Sequence, residues 1–249
     1  MRIHIINPNT TADLSALDLA AAEAVAAPGT TVTVSEPRDG VPSIESSFDE
    51  AIGAIGALAE IARLRDEEID AFVIACFGDT GLAAAREAAA VPAVGMTEAA
   101  LMAAALVAQT FSIVTLPART RLHAHRVVAN LGLGLAGRCL PIRAVDLPVL
   151  HGDADEAAVR DLLTAEARRA VAEGAEAIVL GCAGIGHLAQ PMQAALGVPV
   201  IDGVASAVGM AEMLVRCRLP TSRASTFAAP PDKPLGPGFT HLTGRATGC

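Results

Sequence analysis

Cys76 and Cys182 carry the most specific chemistry in this sequence. Each follows a short apolar run and precedes a glycine-containing turn, Phe77-Gly78-Asp79-Thr80-Gly81 after the first and Ala183-Gly184-Ile185-Gly186 after the second. A turn of this kind between a strand and a helix leaves backbone N–H groups open to an anion. A thiol has an ordinary pKa of about 8.5, and a helix N-terminus lowers it, so a thiolate and a thiol are expected to coexist near neutral pH. Two thiols on opposite walls of one cleft suit a two-base proton transfer. One removes a proton from carbon, the other returns a proton to the opposite face, and N–H donors in the turns take up the developing enolate charge. Buried packing is the commoner fate of an isolated cysteine, but these two share one setting. Cys139, Cys217 and Cys249 lack that setting and read as packing or surface residues, and no C-x-x-C supports disulfide exchange.

The shared setting belongs to an internal duplication with an offset of about 106 residues. Three landmarks recur in the same order. IINPNTTADL from Ile5 matches SIVTLPARTRL from Ser112, DAFVIACFGDTGL from Asp70 matches EAIVLGCAGIGHL from Glu176, and VPAVGMTEAA from Val91 matches VPVIDGVASAV from Val198. The middle landmark puts Cys76 and Cys182 at equivalent places. Two half-domains facing each other about a pseudo-two-fold axis would bring both sulfurs to one cleft, because ligands of open α/β sheets bind beyond the carboxyl ends of the strands.

The elements that must hold these turns are short apolar runs alternating with Ala/Leu-rich segments of helical spacing. Ile3–Ile6, Thr31–Val34, Ala71–Ala75, Ala93–Val94, Phe111–Val114, Ile142–Val145, Ala177–Leu180 and Val198–Ile201 are the predicted strands. Nearly continuous apolar strands separated by helices specify an α/β fold with parallel sheets covered on both faces. The expected division is 1–96 plus 204–218 for the first half-domain and 97–203 for the second. The chain crosses over near Met96–Thr97 and Asp202–Gly203, and the helix Val204 to Arg216 returns to the first half. The Pro/Gly-rich segment 219–249 is expected to be a loose tail.

Other polar residues leave alternatives open. Asn9 and Thr115, at matched strand ends, read as ligand-binding residues, although N-capping by Thr10 or Thr11 explains the first turn as well. Asp79 either orients Cys76 or caps the helix that follows it. Asp202 and Thr97 read as caps or hinges, and His123, His125 and His187 as solvated surface residues. Phe77 and Ile185 adjoin the cysteines and either wall a substrate pocket or pack in the core.

Composition narrows the partners. The chain has 249 residues, a formal charge of -9, neither Trp nor Tyr, and only 6 Phe, which disfavours nucleic acid. The longest apolar run, Ala99 to Ala108, spans ten residues, against the roughly 20 of a membrane-crossing helix. Ile3 to Ile6 is too short for a signal peptide's apolar region, and an odd number of cysteines is no disulfide framework, so a cytoplasmic protein with reduced thiols is expected. The His, Cys and Asp residues lack metal-ligand spacing, and the glycine turns lack the P-loop and dinucleotide fingerprints, so neither metal nor cofactor is expected.

Taken together, INPNT, DAFVIACFGDTGL, FSIVT, IVLGCAGI and VPVIDGVASAV resemble the hydantoin racemase branch of the aspartate/glutamate racemase superfamily, from Ile3 to about Ala211. That resemblance implies two flavodoxin-like half-domains, a cofactor-independent reaction, homo-oligomers, and small cyclic ureide substrates such as 5-substituted hydantoins or allantoin. It assigns the acid/base pair to Cys76 and Cys182 and substrate contacts to Asn9, the Gly78–Thr80 turn, Thr115 and Gly184. With Phe77 and Ala183 from the two turns, these are the candidate site residues. The motif departs from the family at Thr80, where proline commonly follows the aspartate. A superfamily decarboxylase or isomerase, or a non-catalytic module closing on a small anion, are the competing readings.

Overall fold

The computed structural model describes residues 1–150 and 156–243. Within them the chain forms two parallel four-stranded sheets of identical order, flanked by helices. The first sheet contains β1 (Arg2–Ile6), β2 (Thr31–Ser35), β3 (Ala71–Ile74) and β4 (Ala93–Gly95), in the order β2-β1-β3-β4. The second contains β5 (Phe111–Thr115), β6 (Arg143–Ala144), β7 (Ala177–Leu180) and β8 (Val200–Ile201), in the order β6-β5-β7-β8. Every predicted apolar run forms a strand. The run at Ile142–Val145 pairs over only two residues, and that at Val198–Ile201 starts beyond Pro199, which has no N–H to donate. Pro199 and Pro92 are equivalent instead as acceptors, their carbonyls receiving Ile178 N–H and Phe72 N–H at 2.9 Å each.

The helices are α1 (Ala12–Glu23), α2 (Ser47–Arg63), α3 (Leu82–Ala88), α4 (Met96–Val107), α5 (Arg121–Leu131), α6 (Glu156–Ala172), α7 (Ala189–Leu196) and α8 (Gly203–Arg216). Alternate strand residues serve opposite faces, as the pleat requires. Ile3, Ile5, Val73 and Val94 pack with Ala22 of α1 and with Val204, Ala207, Val208 and Ala211 of α8. Ile6, Phe72 and Ile74 pack on the other face with Ala57 and Ile61 of α2 and Leu82 and Ala85 of α3. In the second sheet Phe111, Ile113, Ala177 and Val179 meet Leu101 and Ala104 of α4 and Val128 of α5, while Val114, Ile178 and Leu180 meet Leu163 of α6 and Met192 of α7. Thus α8, last in the chain order, covers the first sheet, and α4, which follows the first sheet's last strand, covers the second.

The segment after α8 is not the loose tail expected from its composition. Arg223 donates to the carbonyls of Arg86 and Glu87 at 3.0 Å each and also to that of Ala89, which caps the exposed end of α3. Phe227 lies under the Arg86 guanidinium, 5.6 Å from its carbon. Proline and glycine exclude an α-helix or strand over most of it, but a 3-10 helix forms at Pro237–Thr243 and side-chain anchors fix the irregular part. Cys249 lies outside the described residues.

Candidate active site

The carboxyl ends of both sheets open into one cleft of about 660 Å³, and Cys76 and Cys182 both line it. Cys76 stands two residues beyond β3 and Cys182 two beyond β7, positions held by Ala75 N–H on the Ile6 carbonyl at 3.0 Å and Gly181 N–H on the Val114 carbonyl at 2.8 Å. Gly181 brings these strands together closely: a Cβ there would lie 2.6 Å from the Thr115 Cβ. Both thiols are free and part-exposed to the cleft. They are close enough that charge on Cys182 would disfavour charge on Cys76.

Burial dominates their acidity. It pushes the Cys76 thiol up to about 12, against the opposing hydrogen bond that the Thr80 hydroxyl donates to its sulfur at 3.3 Å. It pushes Cys182 up to about 11, against hydrogen bonds from the Gly184 and Ile185 N–H groups. The expected lowering by turn amides is therefore present at Cys182 alone, the donor at Cys76 being a hydroxyl, and it is smaller than the desolvation cost, because withdrawing a thiolate from water outweighs one or two donors. Burial thus favours the protonated form of both thiols.

Of the other candidate residues, Asn9, Phe77, Ala183 and Gly184 line the cleft, whereas Gly78, Asp79, Thr80 and Thr115 lie behind it. Asn9 takes the Thr11 N–H on its Oδ1 at 2.9 Å and is tied to Asn7, so the turn entering α1 is closed by Asn9 rather than by a Thr10 or Thr11 side chain. Thr80 holds the Cys76 sulfur as described. Thr115 is buried, and its hydroxyl donates to the Gly181 carbonyl at 2.9 Å, bracing the turn that carries Cys182.

Asp79 takes neither role expected of it. Its carboxylate accepts the Thr97 N–H at 2.7 Å and the Glu98 N–H at 2.9 Å, capping α4, a helix far along the chain, and burial pushes its pKa up to about 6. Thr97 completes the joint by accepting the Gly78 N–H on its hydroxyl at 2.7 Å. Gly78 has φ +113, and a Cβ there would lie 2.4 Å from His123 Nε2, so the position admits only glycine. Asp202 caps α8 by accepting the Val204 N–H at 2.8 Å. Phe77 packs against the cores of both lobes, while Ile185 is buried away from the cleft.

His123 and His125 both border the cleft; His125 is solvent-exposed as expected, whereas His123 is part-buried. The first half of α5 faces the mouth, so His123 reaches Glu50 at 3.2 Å, and Arg126 donates to the Ser47 hydroxyl at 3.4 Å. Val149 N–H donates to Glu45 Oε1 at 3.2 Å. These three contacts join the two lobes across the opening. His187 is exposed and pairs with Glu156. Sequence reasoning missed Asp18, Glu45, Glu50, Arg119 and Arg126 in the lining. The signal for Asp18 was a carboxylate on the face of α1 that also presents Ser15 and Ala22 to the interior. Among the described residues no group of three or more His, Cys, Asp or Glu side chains is placed to hold a metal ion, and no helix is long and apolar enough to cross a membrane.

Two like α/β lobes with strand order 2-1-3-4, meeting at a small cleft with one thiol from each, define a two-lobed enzyme of the aspartate/glutamate racemase fold. The Asp/Glu/Hydantoin racemase family matches residues 3–211, and the chain belongs to that family. A hydantoin racemase of Rhizobium meliloti is 45% identical over 231 residues, covering 92% of this chain and 95% of that one. Among solved structures, an allantoin racemase from Klebsiella pneumoniae superposes with a TM-score of 0.92 at 45% identity, covering 97% of this chain and 98% of its own. An allantoin racemase from Pseudomonas fluorescens gives 0.89 at 36% identity, covering 95% and 100%. The chain is a racemase, an isomerase by reaction class.

Proposed function

We propose that this racemase inverts the C5 stereocentre of 5-substituted hydantoins by proton transfer between Cys76 and Cys182, with no cofactor. The observation that carries the reading is the presence of one thiol from each lobe in a single cleft of about 660 Å³. The C5–H bond lies beside a ring carbonyl, so the carbanion left by proton removal delocalises as an enolate. One cysteine, as thiolate, takes the C5 proton and becomes a thiol. The other, as thiol, gives its proton to the opposite face and becomes a thiolate, so the substrate keeps its composition and the two sulfurs exchange protonation states. The amides that donate to the Cys182 sulfur, at Gly184 and Ile185, also favour negative charge on that side.

Allantoin, the hydantoin with a ureido substituent at C5, is a second reading. It is favoured by the charged lining of the mouth, with Glu45, Glu50, Arg119, His123 and Arg126 all bordering the cleft. A cytoplasmic homo-oligomer fits the free cysteines and the exposed Leu106, Val107 and Leu133.

The test uses a panel of allantoin, 5-benzylhydantoin and 5-isobutylhydantoin, followed by chiral chromatography in deuterated water. Racemisation with deuterium entering C5 is expected, and Cys76→Ser or Cys182→Ser should abolish it while circular dichroism shows an intact fold. Full activity retained in either variant refutes the two-base scheme.

A further inference from the structure

We propose that Asp18 is a further substrate-binding residue, whose carboxyl group pairs with an amide edge of the bound ring on the Cys182 side of the cleft. Asp18 lies on α1 and lines the cleft at 1% exposure, and neither of its oxygens has a hydrogen-bond partner among the described residues. The other buried acids are all satisfied. Glu60 accepts from the Ser35 hydroxyl at 2.6 Å and pairs with Arg63, Glu98 accepts the Gly95 N–H at 3.1 Å and pairs with Arg86, and Glu212 accepts the Ala27 N–H at 2.9 Å and pairs with Arg216. On α1 itself, buried Ser15 is bonded to Asn7 and Glu36. Asp18 alone spends its burial on nothing inside the fold.

Asp202 at the start of α8 and Cys182 interact with it electrostatically, and among the described residues no cation is paired with it. An unpaired carboxylate is costly in such a place, and burial raises the pKa of Asp18 well above the usual carboxylate range, which favours the neutral acid. A carboxylic acid presents an O–H donor beside a C=O acceptor. A cyclic ureide presents the complement, a carbonyl oxygen beside a ring N–H. Two parallel hydrogen bonds then form, with the acid donating to the ring carbonyl and its own carbonyl accepting the ring N–H. Where the carbonyl is the one next to C5, the acid also meets the charge that develops there when the proton leaves.

This inference rests on the ureide reading above, and the experiment separates the two. Wild type, Asp18→Asn and Asp18→Leu are compared for kcat/KM on the best ureide of the panel, with thermal midpoints measured alongside. Asparagine reproduces the donor–acceptor pair without a charge and is expected to stay within about threefold of wild type, whereas leucine loses both hydrogen bonds and falls by about tenfold or more. The leucine variant should melt no lower than wild type, because the group it replaces is unpaired. Equal rates in all three proteins, or an asparagine variant as impaired as the leucine one, overturn the assignment. Asp18→Ala is measured in case leucine does not fit, and if both variants melt well below wild type, Asp18 serves the fold and the assignment is likewise overturned. Should wild type racemise no ureide, the ureide reading and the role of Asp18 fall together, while loss of the Asp18 effect alone leaves the reading standing.

Discussion

Replacing Thr80 with Val keeps the branched side chain and removes the hydrogen bond that its hydroxyl donates to the Cys76 sulfur over 3.3 Å. That donor opposes the burial that pushes the thiol up to about 12, so ionisation of Cys76 becomes harder still without it. A hydrogen bond to a charged group contributes about 1.5–3 kcal/mol, and kcat/KM should therefore fall roughly 10- to 150-fold. The fall must be equal for the two enantiomers. On the two-base proposal Cys76 is the base in one direction and becomes the thiolate in the other, and an equilibrium constant of one between mirror-image substrates ties the two values of kcat/KM together. The assay is racemisation followed by circular dichroism from each enantiomer. A companion experiment follows iodoacetamide labelling of Cys76 against pH by peptide mapping, where the variant should require a higher pH for the same rate. Unchanged kcat/KM together with an unchanged labelling profile would refute the view that Thr80 supports the charged form of Cys76.

With both thiols raised, to about 12 and about 11, the reactive monoanion is a minor species of the free enzyme, so kcat/KM should climb about tenfold per pH unit from pH 6 to 9; a profile flat across that range contradicts it. Asp79→Ala strips α4 of its cap and should lower stability by about 1–2 kcal/mol in urea titrations, with a loss of activity because the same turn carries Cys76. His4 is buried between the Thr33 and Ser35 hydroxyls, and desolvation lowers its pKa to about 4. The unfolded chain therefore binds its proton first, and this contribution, complete above about 6.5, is lost as pH falls toward 4. His4→Gln should flatten the pH dependence of the thermal midpoint within that window.

The strands were legible because parallel strands buried on both faces must be apolar almost throughout, as Ala71–Ile74 and Ala177–Leu180 are. The common cleft of Cys76 and Cys182 was legible through the repeat, since equivalent residues of like lobes occupy equivalent strand ends. What escaped depends on depth and on distant partners. Nothing in the turn around Cys76 reports how far its sulfur is withdrawn from water, so the amides were expected to prevail over desolvation. Asp79 finds its N–H donors at Thr97 and Glu98 only after β4 has been laid beside β3. His123 looked like an exposed position because the face of α5 that meets Glu50 exists only once the lobes are opposed. The tail was misjudged because composition reports the lack of a repeating pattern, not the anchors at Arg223 and Phe227.

The exchange of α4 and α8 between the sheets has a bearing on ancestry. Severed between the repeats, each fragment would lose part of the cover of one apolar sheet face, that of Ile3, Ile5 and Val73 in the first and of Ile113 and Val179 in the second, keeping only α1 or α5 there. A progenitor of single-repeat length would have had the same deficiency, and two copies could have remedied it by trading terminal helices. In the present chain the covalent link between the repeats guarantees that trade of helices, and with it the meeting of Cys76 and Cys182 in one cleft.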